Sequence, residues 1–203
     1  MTHRHAFRPQ AIHTLEGRLV QSGLGLVPQA QVAPLVGVVS PTHPKPTPEA
    51  ARFEIRWMRG MISHHGMAIS MAKLALKNSG DTEVRNLATD IVRAQTREIS
   101  QMQTWLSVGY NVKGVRPRMT QDDRMMLNGL NSLRGQDFDR AFLTQMVEHH
   151  QMAVRDANEL LGSAFHKVLT QLGRNIISTQ TAEIASMQSM LGGINGPMGD
   201  GRM

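Results

Sequence analysis

An internal duplication constrains the fold of this 203-residue chain more than any other feature of its sequence. The pattern Met-x-x-His-His-x-Met-Ala occurs at residues 61–68 and again at residues 146–153, an offset of 85 residues. The same offset aligns a second pattern, Gln-x-x-Glu-Ile-x-x-Met, at residues 95–102 with its copy at residues 180–187. One offset that preserves both patterns without an insertion indicates a duplicated structural unit.

Each copy of the unit has the composition of a helical hairpin. Both copies contain two long proline-free stretches rich in Ala, Leu, Met, Arg and Glu, which are good helix formers. Pro48 lies near the start of the first helix, and Asp81 is suited to cap the second. We predict helices at about residues 49–78 and 82–110 in repeat one (49–110), a short connecting helix within 118–134, and helices at about 137–161 and 163–191, joined at Gly162, in repeat two (136–192).

The helical periodicity places polar residues on the apolar faces of these helices. At about 100° per residue, His64 and His65 share a narrow stripe with Trp57, Met61 and Ala68. The inward polar residues are His64, His65, Gln95 and Glu98 in repeat one and His149, His150, Gln180 and Glu183 in repeat two. Two antiparallel hairpins with inward apolar stripes predict an all-α four-helix bundle with a pseudo-two-fold axis.

Methionines accompany these polar residues, and the combination predicts a metal site. Thioether and imidazole groups together suit Cu(I), with Ag(I) chemically similar, and a chain without cysteine has no other soft ligands. Gln95, Glu98, Gln180 and Glu183 are predicted to orient the imidazoles or to serve as alternative ligands. The predicted ligands are Met61, His64, His65, Met67 and Met102 in repeat one and Met146, His149, His150, Met152 and Met187 in repeat two.

Three other interpretations compete with copper binding. Glu98 and Glu183 can simply accept hydrogen bonds from the histidines and hold the hairpins together. A di-iron or dimanganese oxidase would use a Glu-x-x-His motif from each of two helices, and the sequence contains no such motif. A metal-free bundle would serve as a helical interaction module. The sequence favours a metal-binding protein without catalytic activity over all three.

The paired motifs resemble those of a bacterial family called domain of unknown function 305. The resemblance rests on residues 61–67 with 95–102 and on residues 146–152 with 180–187, and it extends over residues 50–192. It implies a ferritin-like fold and a periplasmic or secreted copper-binding protein with a role in copper resistance. The second half departs from the first where Asp156 stands opposite Met71, so it has fewer thioethers.

The ends of the chain differ in composition from the repeats. Residues 1–48 combine a basic start, a mildly apolar stretch and a proline-rich segment, which predicts a disordered extension that ends in an extended linker. Glutamine and proline interrupt the apolar stretch, so it is a weak match to an export signal, and a cytoplasmic location remains the alternative. A flexible tail is predicted at 193–203, where Met198 and Met203 could collect metal loosely.

Composition limits the remaining classes of function. The apolar fraction of 40% suffices for one core, and 15 methionines compensate for an aromatic fraction of only 4%. The net charge of +6 is scattered along the chain without a nucleic-acid-binding motif, and no run approaches the ~20 apolar residues of a membrane span. The expected partners are a metal ion, a copper-delivery protein and a second copy of the chain, and not nucleic acid.

Overall fold

The computed structural model describes residues 45–195, which form five α-helices. The helices are α1 (Pro48–Asn78), α2 (Thr82–Tyr110), α3 (Gln121–Ser132), α4 (Gly135–Ser163) and α5 (Lys167–Asn195). The all-α prediction is confirmed, because no residue between 45 and 195 lies in a strand. Residues 1–44 of the predicted extension, with the signal-like segment, and Met198 and Met203 of the tail fall outside the described residues.

Side-chain caps begin the first three helices. Thr47 caps α1, and Pro48 follows as its first residue. Proline is tolerated there because the N–H that it lacks would have no hydrogen-bond partner in the helix. Asp81 accepts hydrogen bonds from two backbone N–H groups at the start of α2, at 2.7 and 3.0 Å, as its predicted role requires. Thr120 and Asp123 form a reciprocal capping box at the start of α3.

The second turn does not lie where the sequence predicted it. Gly162 is helical, and α4 continues to Ser163, so the predicted junction at Gly162 is wrong. The carboxylate of Glu54 in α1 accepts hydrogen bonds from the backbone N–H groups of Phe165 and His166, at 2.9 and 2.8 Å. This contact between distant parts of the chain stabilises the turn just after Ser163, and glycine is not needed there.

The four long helices form two hairpins, and the first helix of each hairpin packs against that of the other. α1 packs along α2, α4 packs along α5, and the hairpins meet chiefly through α1 and α4, with α3 against both. α5 extends through Asn195, whereas the tail was predicted to begin at residue 193. Among the described helices, none has the length and hydropathy to cross a membrane.

The apolar core consists of two clusters at different heights in the bundle. Every long helix contributes to both clusters and passes from one to the other at its polar residues. The first core cluster includes Met67, Met71, Ile91, Phe142, Met146 and Met187, and the second includes Trp57, Met61, Ile99, Met102, Ala153 and Ile176. The polar residues therefore form a layer between the clusters.

Candidate metal centre

The polar layer contains the eight polar residues that the sequence predicted to face inward. Each long helix contributes a pair at the height where one core cluster gives way to the other: His64 and His65 on α1, Gln95 and Glu98 on α2, His149 and His150 on α4, and Gln180 and Glu183 on α5. A layer of this kind breaks the continuity of the core, so its members must find partners or a ligand.

One histidine of each pair is hydrogen-bonded to a glutamate on the neighbouring helix. The Nε2 atom of His65 lies 2.6 Å from Glu98 Oε2, and that of His150 lies 2.7 Å from Glu183 Oε2. Because an ionised carboxylate only accepts, each Nε2–H donates and leaves a lone pair on Nδ1. Both Nδ1 atoms are buried without a hydrogen-bond partner.

The rings of the other two histidines contact each other across the interface between α1 and α4. The ring centroids of His64 and His149 are 3.6 Å apart, with an angle of 36° between the ring planes. Both ring nitrogens of His64 and the Nδ1 of His149 are buried and unpartnered. Burial, with repulsion from the neighbouring histidines, lowers the pKa of His64 to about 3 and that of His149 to about 2. Both rings are neutral at physiological pH, the form in which imidazole binds a metal.

Most of the predicted methionine ligands are buried on either side of this layer. Met61 and Met102 belong to the second core cluster, whereas Met146 and Met187, their counterparts in repeat two, belong to the first. Equivalent methionines of the two repeats therefore lie on opposite sides of the layer, which is where a two-fold axis through the layer would place them. Met61 also lines a surface cavity of about 310 Å³.

The remaining two predicted methionines break the symmetry. Met67 is 4% exposed and lies in the first core cluster, but Met152 is 42% exposed and belongs to neither cluster. The structure thus brings nine of the ten predicted ligands to the layer or to the clusters that border it, and places Met152 at the surface.

The glutamines of the layer are also incompletely satisfied. Gln95 and Gln180 are each 2% exposed, and neither the amide oxygen nor the amide nitrogen of either side chain has a partner. Buried amides normally pair, because each unpaired group loses its hydration without compensation. Together with the histidine nitrogens, they form a buried set of donors and acceptors that their own fold does not satisfy.

The sequence interpretation missed a second pair of buried acids. Glu54 is fully buried and accepts hydrogen bonds from Tyr110 and from His166 Nδ1, in addition to the two backbone groups at the α4–α5 turn. Asp139, aligned with Glu54 by the 85-residue offset, is 4% exposed and near Ser79 at the α1–α2 turn. The sequence contained one signal for Glu54. It lies three residues before Trp57, so both side chains are on the same inward face of the helix.

The donor set fits a soft metal better than a hard one. Between residues 45 and 195, no three His, Cys, Asp or Glu side chains are arranged to hold a metal ion. Glu98 and Glu183 are engaged by histidines, so the unpartnered groups of the layer are imidazole nitrogens and the two glutamine amides, with thioethers in the bordering clusters. Imidazole and thioether groups are the ligands that Cu(I) accepts.

The sequence model of the family described as domain of unknown function 305, DUF305, matches residues 54–191. This chain belongs to the DUF305 family. The resemblance predicted from the paired motifs is therefore confirmed over both repeats. A curated relative, the uncharacterized protein L153 of Acanthamoeba polyphaga mimivirus, is 41% identical over 51 residues, which span 25% of this chain and about a third (34%) of that relative.

Solved structures of the family share the fold. The Cu(I)-bound form of CopM is 33% identical to this chain with a TM-score of 0.63, covering 70% of this chain and 98% of CopM. A DUF305 fragment from Deinococcus radiodurans is 30% identical with a TM-score of 0.61, covering 73% of this chain and 99% of the fragment. A Streptomyces coelicolor DUF305 protein, assigned as secreted, is 26% identical with a TM-score of 0.63, covering 70% and 92%.

Proposed function

We propose that this DUF305 protein binds copper as Cu(I) in the polar layer, without catalysing a reaction. The observation that carries the proposal is the set of buried, unpartnered nitrogens of His64, His65, His149 and His150, which lie between methionine-containing clusters. A buried lone pair without a donor costs free energy, and a soft cation would supply the missing partner. The similarity to CopM, whose structures include Cu(I)-, Cu(II)- and Ag-bound forms, supports the same assignment.

The glutamates have a defined part in this proposal. Glu98 and Glu183 hold the Nε2–H of His65 and His150, which fixes the ring tautomer and leaves Nδ1 as the ligand atom. The interpretation in which the glutamates merely hold the hairpins together uses the same hydrogen bonds. It does not account for the four unpartnered Nδ1 atoms, and for this reason we favour metal binding.

The contact between His64 and His149 favours one contiguous site over two separate ones. Their ring centroids are 3.6 Å apart across the α1–α4 interface, so the half-sites of the two repeats adjoin. We propose that the ligands come from the four histidines together with Met61, Met67, Met102, Met146 and Met187. Met152 is left out because it lies at the surface.

The test is an anaerobic Cu(I) titration of the metal-free protein in competition with a chromophoric chelator. Replacing His64, His65, His149 and His150 by Ala is expected to weaken binding about a hundredfold or more, since loss of even an outer-shell partner costs 10–100-fold. The chain supplies a matched control, because the extension also contains four histidines: His3, His5, His13 and His43. Their replacement by Ala should leave the affinity within about threefold.

The opposite result would contradict the proposal. If the core variant keeps its affinity while the control variant loses it, copper binds to the extension instead. A thermal melt checks that the core variant folds, and Cu(I) should raise the melting temperature only of proteins that retain the site, because a ligand stabilises the state that binds it.

For the biological role we propose copper sequestration or carriage in the periplasm or outside the cell, in support of copper resistance. The assignment of the Streptomyces coelicolor relative as secreted supports this location. Cell fractionation of the full chain, with copper tolerance measured in a deletion strain, tests location and role together. A cytosolic protein whose deletion leaves tolerance unchanged would contradict both.

A further inference from the structure

A basic pocket lies on the outer side of α1, beside the loop that joins α2 to α3. The cavity has a volume of about 530 Å³ and is lined by Arg59 and Ser63 of α1 and by Lys113, Arg116 and Arg118 of the loop. No acidic residue lines it, and among residues 45–195 none of its four cationic side chains forms a salt bridge. We call this cavity the basic pocket.

The loop that forms the pocket is anchored to both α2 and α1. Gln103 donates a hydrogen bond to the carbonyl oxygen of Val115 at 2.8 Å, and the backbone N–H of Arg118 donates to Ser63 Oγ at 3.2 Å. Pro117 lies so close to α1 that a Cβ on Gly66 would approach its side chain to 2.3 Å. The backbone that carries the cationic residues of the loop is therefore held against α1 and α2.

The cations of the pocket have no counterpart in the sequence of repeat two. The 85-residue offset aligns Arg59 with Thr144, Lys113 with Met198 and Arg116 with Gly201. The duplicated bundle thus does not require these cations. Unpaired like charges gathered in one concavity repel each other, so their arrangement is explained by a ligand of opposite charge.

We propose that the basic pocket binds a small polyanion with at least two phosphate or carboxylate groups. Three guanidinium groups and one ammonium group provide charge-assisted donors, and guanidinium suits bidentate contact with such oxyanions. The volume lies within the usual range for small-molecule sites and exceeds what one oxyanion fills. None of the four cations is among the proposed copper ligands, so the site can be tested on the metal-free protein.

The experiment is a calorimetric titration of the full metal-free chain with inorganic tripolyphosphate, and separately with citrate, which distinguishes phosphate from carboxylate groups. Saturable binding at one site is expected. Replacing Arg59, Lys113, Arg116 and Arg118 by Gln should weaken it about tenfold or more, given the strength of charge-assisted hydrogen bonds. The matched control replaces four exposed cations elsewhere, Lys73, Arg97, Arg140 and Arg174, by Gln, and should change affinity less than twofold.

A charge-neutral variant separates the pocket from general electrostatics. Gly60 lines the cavity, and a Cβ there would meet no atom within 4 Å, so the side chain of Gly60→Leu starts in open space beside the cavity. Its expected effect is about a tenfold loss of affinity at unchanged net charge. Equal losses in the pocket and control variants, or no saturable binding of either anion, would overturn the proposal. So would binding to phosphatidylglycerol vesicles alone, which would indicate a membrane-facing surface.

Discussion

The two repeats keep the same polar layer but differ in what surrounds it. His65 and His150 contact their glutamates at 2.6 and 2.7 Å, almost the same distance, while Met67 is buried and its counterpart Met152 is 42% exposed. The cations of the basic pocket belong to repeat one and to the loop that follows it. The part that the two repeats share is thus the layer of buried, unpartnered polar groups to which we assign metal binding. The asymmetric surroundings are where the halves can be told apart by experiment.

The largest difference is expected between the buried acids Glu54 and Asp139. Glu54 accepts hydrogen bonds from backbone, hydroxyl and imidazole donors, so Glu54→Gln should lower the free energy of unfolding by about 3 kcal/mol, as when one partner of a buried pair is lost. Asp139 has an unpartnered Oδ1, so Asp139→Asn should cost little or slightly stabilise. Urea unfolding at pH 7 measures both. If both variants lose the same free energy of unfolding, the two acids stabilise their turns to the same extent and the prediction is wrong.

The same pair should respond to pH with opposite signs. Burial raises the pKa of Glu54, but hydrogen bonds from His166 and Tyr110 outweigh it, so the pKa is lowered. Its stabilisation is present above about pH 4.5 and is lost as pH falls through the lower folded pKa. Burial raises the pKa of Asp139, and the negative charge of Asp81 raises it further. A hydrogen bond from Ser79 lowers this pKa but does not outweigh the other two effects. The ionised Asp139 therefore costs stability at neutral pH, and that cost disappears on acidification. Urea unfolding of each variant against wild type between pH 7 and 3 would show both trends.

These acids also show which features of the fold could not be predicted from the sequence. Periodicity found the bundle, the inward histidines and the α2 cap at Asp81, because these depend on local spacing. The α4–α5 turn was misplaced at Gly162 because the group that fixes it, Glu54, lies more than a hundred residues away. Met152 occupies the same motif position as Met67, yet it is exposed. A repeated motif predicts which helical face a residue shares, and the packing of other elements decides whether it is covered.

The next largest effect concerns the matched glutamates. Glu98→Gln and Glu183→Gln should each weaken Cu(I) binding about 10–100-fold, because the charged acceptor that orients the imidazole is lost. Equal effects are expected, since the two hydrogen bonds are nearly identical and the half-sites adjoin at His64 and His149. Competition titrations with the single and double variants measure this. If one variant loses a whole equivalent of copper while the other is unaffected, the halves are separate sites and the proposal of one contiguous site is wrong.

The smallest expected effect compares Met67→Leu with Met152→Leu. Leucine keeps the volume and removes only the thioether, so the stability of either variant should change by less than about 1.5 kcal/mol. Cu(I) affinity should fall about tenfold for Met67→Leu, which removes a sulfur from the cluster bordering the polar layer. It should fall less than twofold for Met152→Leu, whose sulfur is at the surface. The titration is repeated with Zn(II), for which a thioether is a poor ligand and neither change should matter. Equal losses of Cu(I) affinity would mean that Met152 turns inward when copper binds, and the asymmetry between the repeats would then belong to the metal-free protein alone.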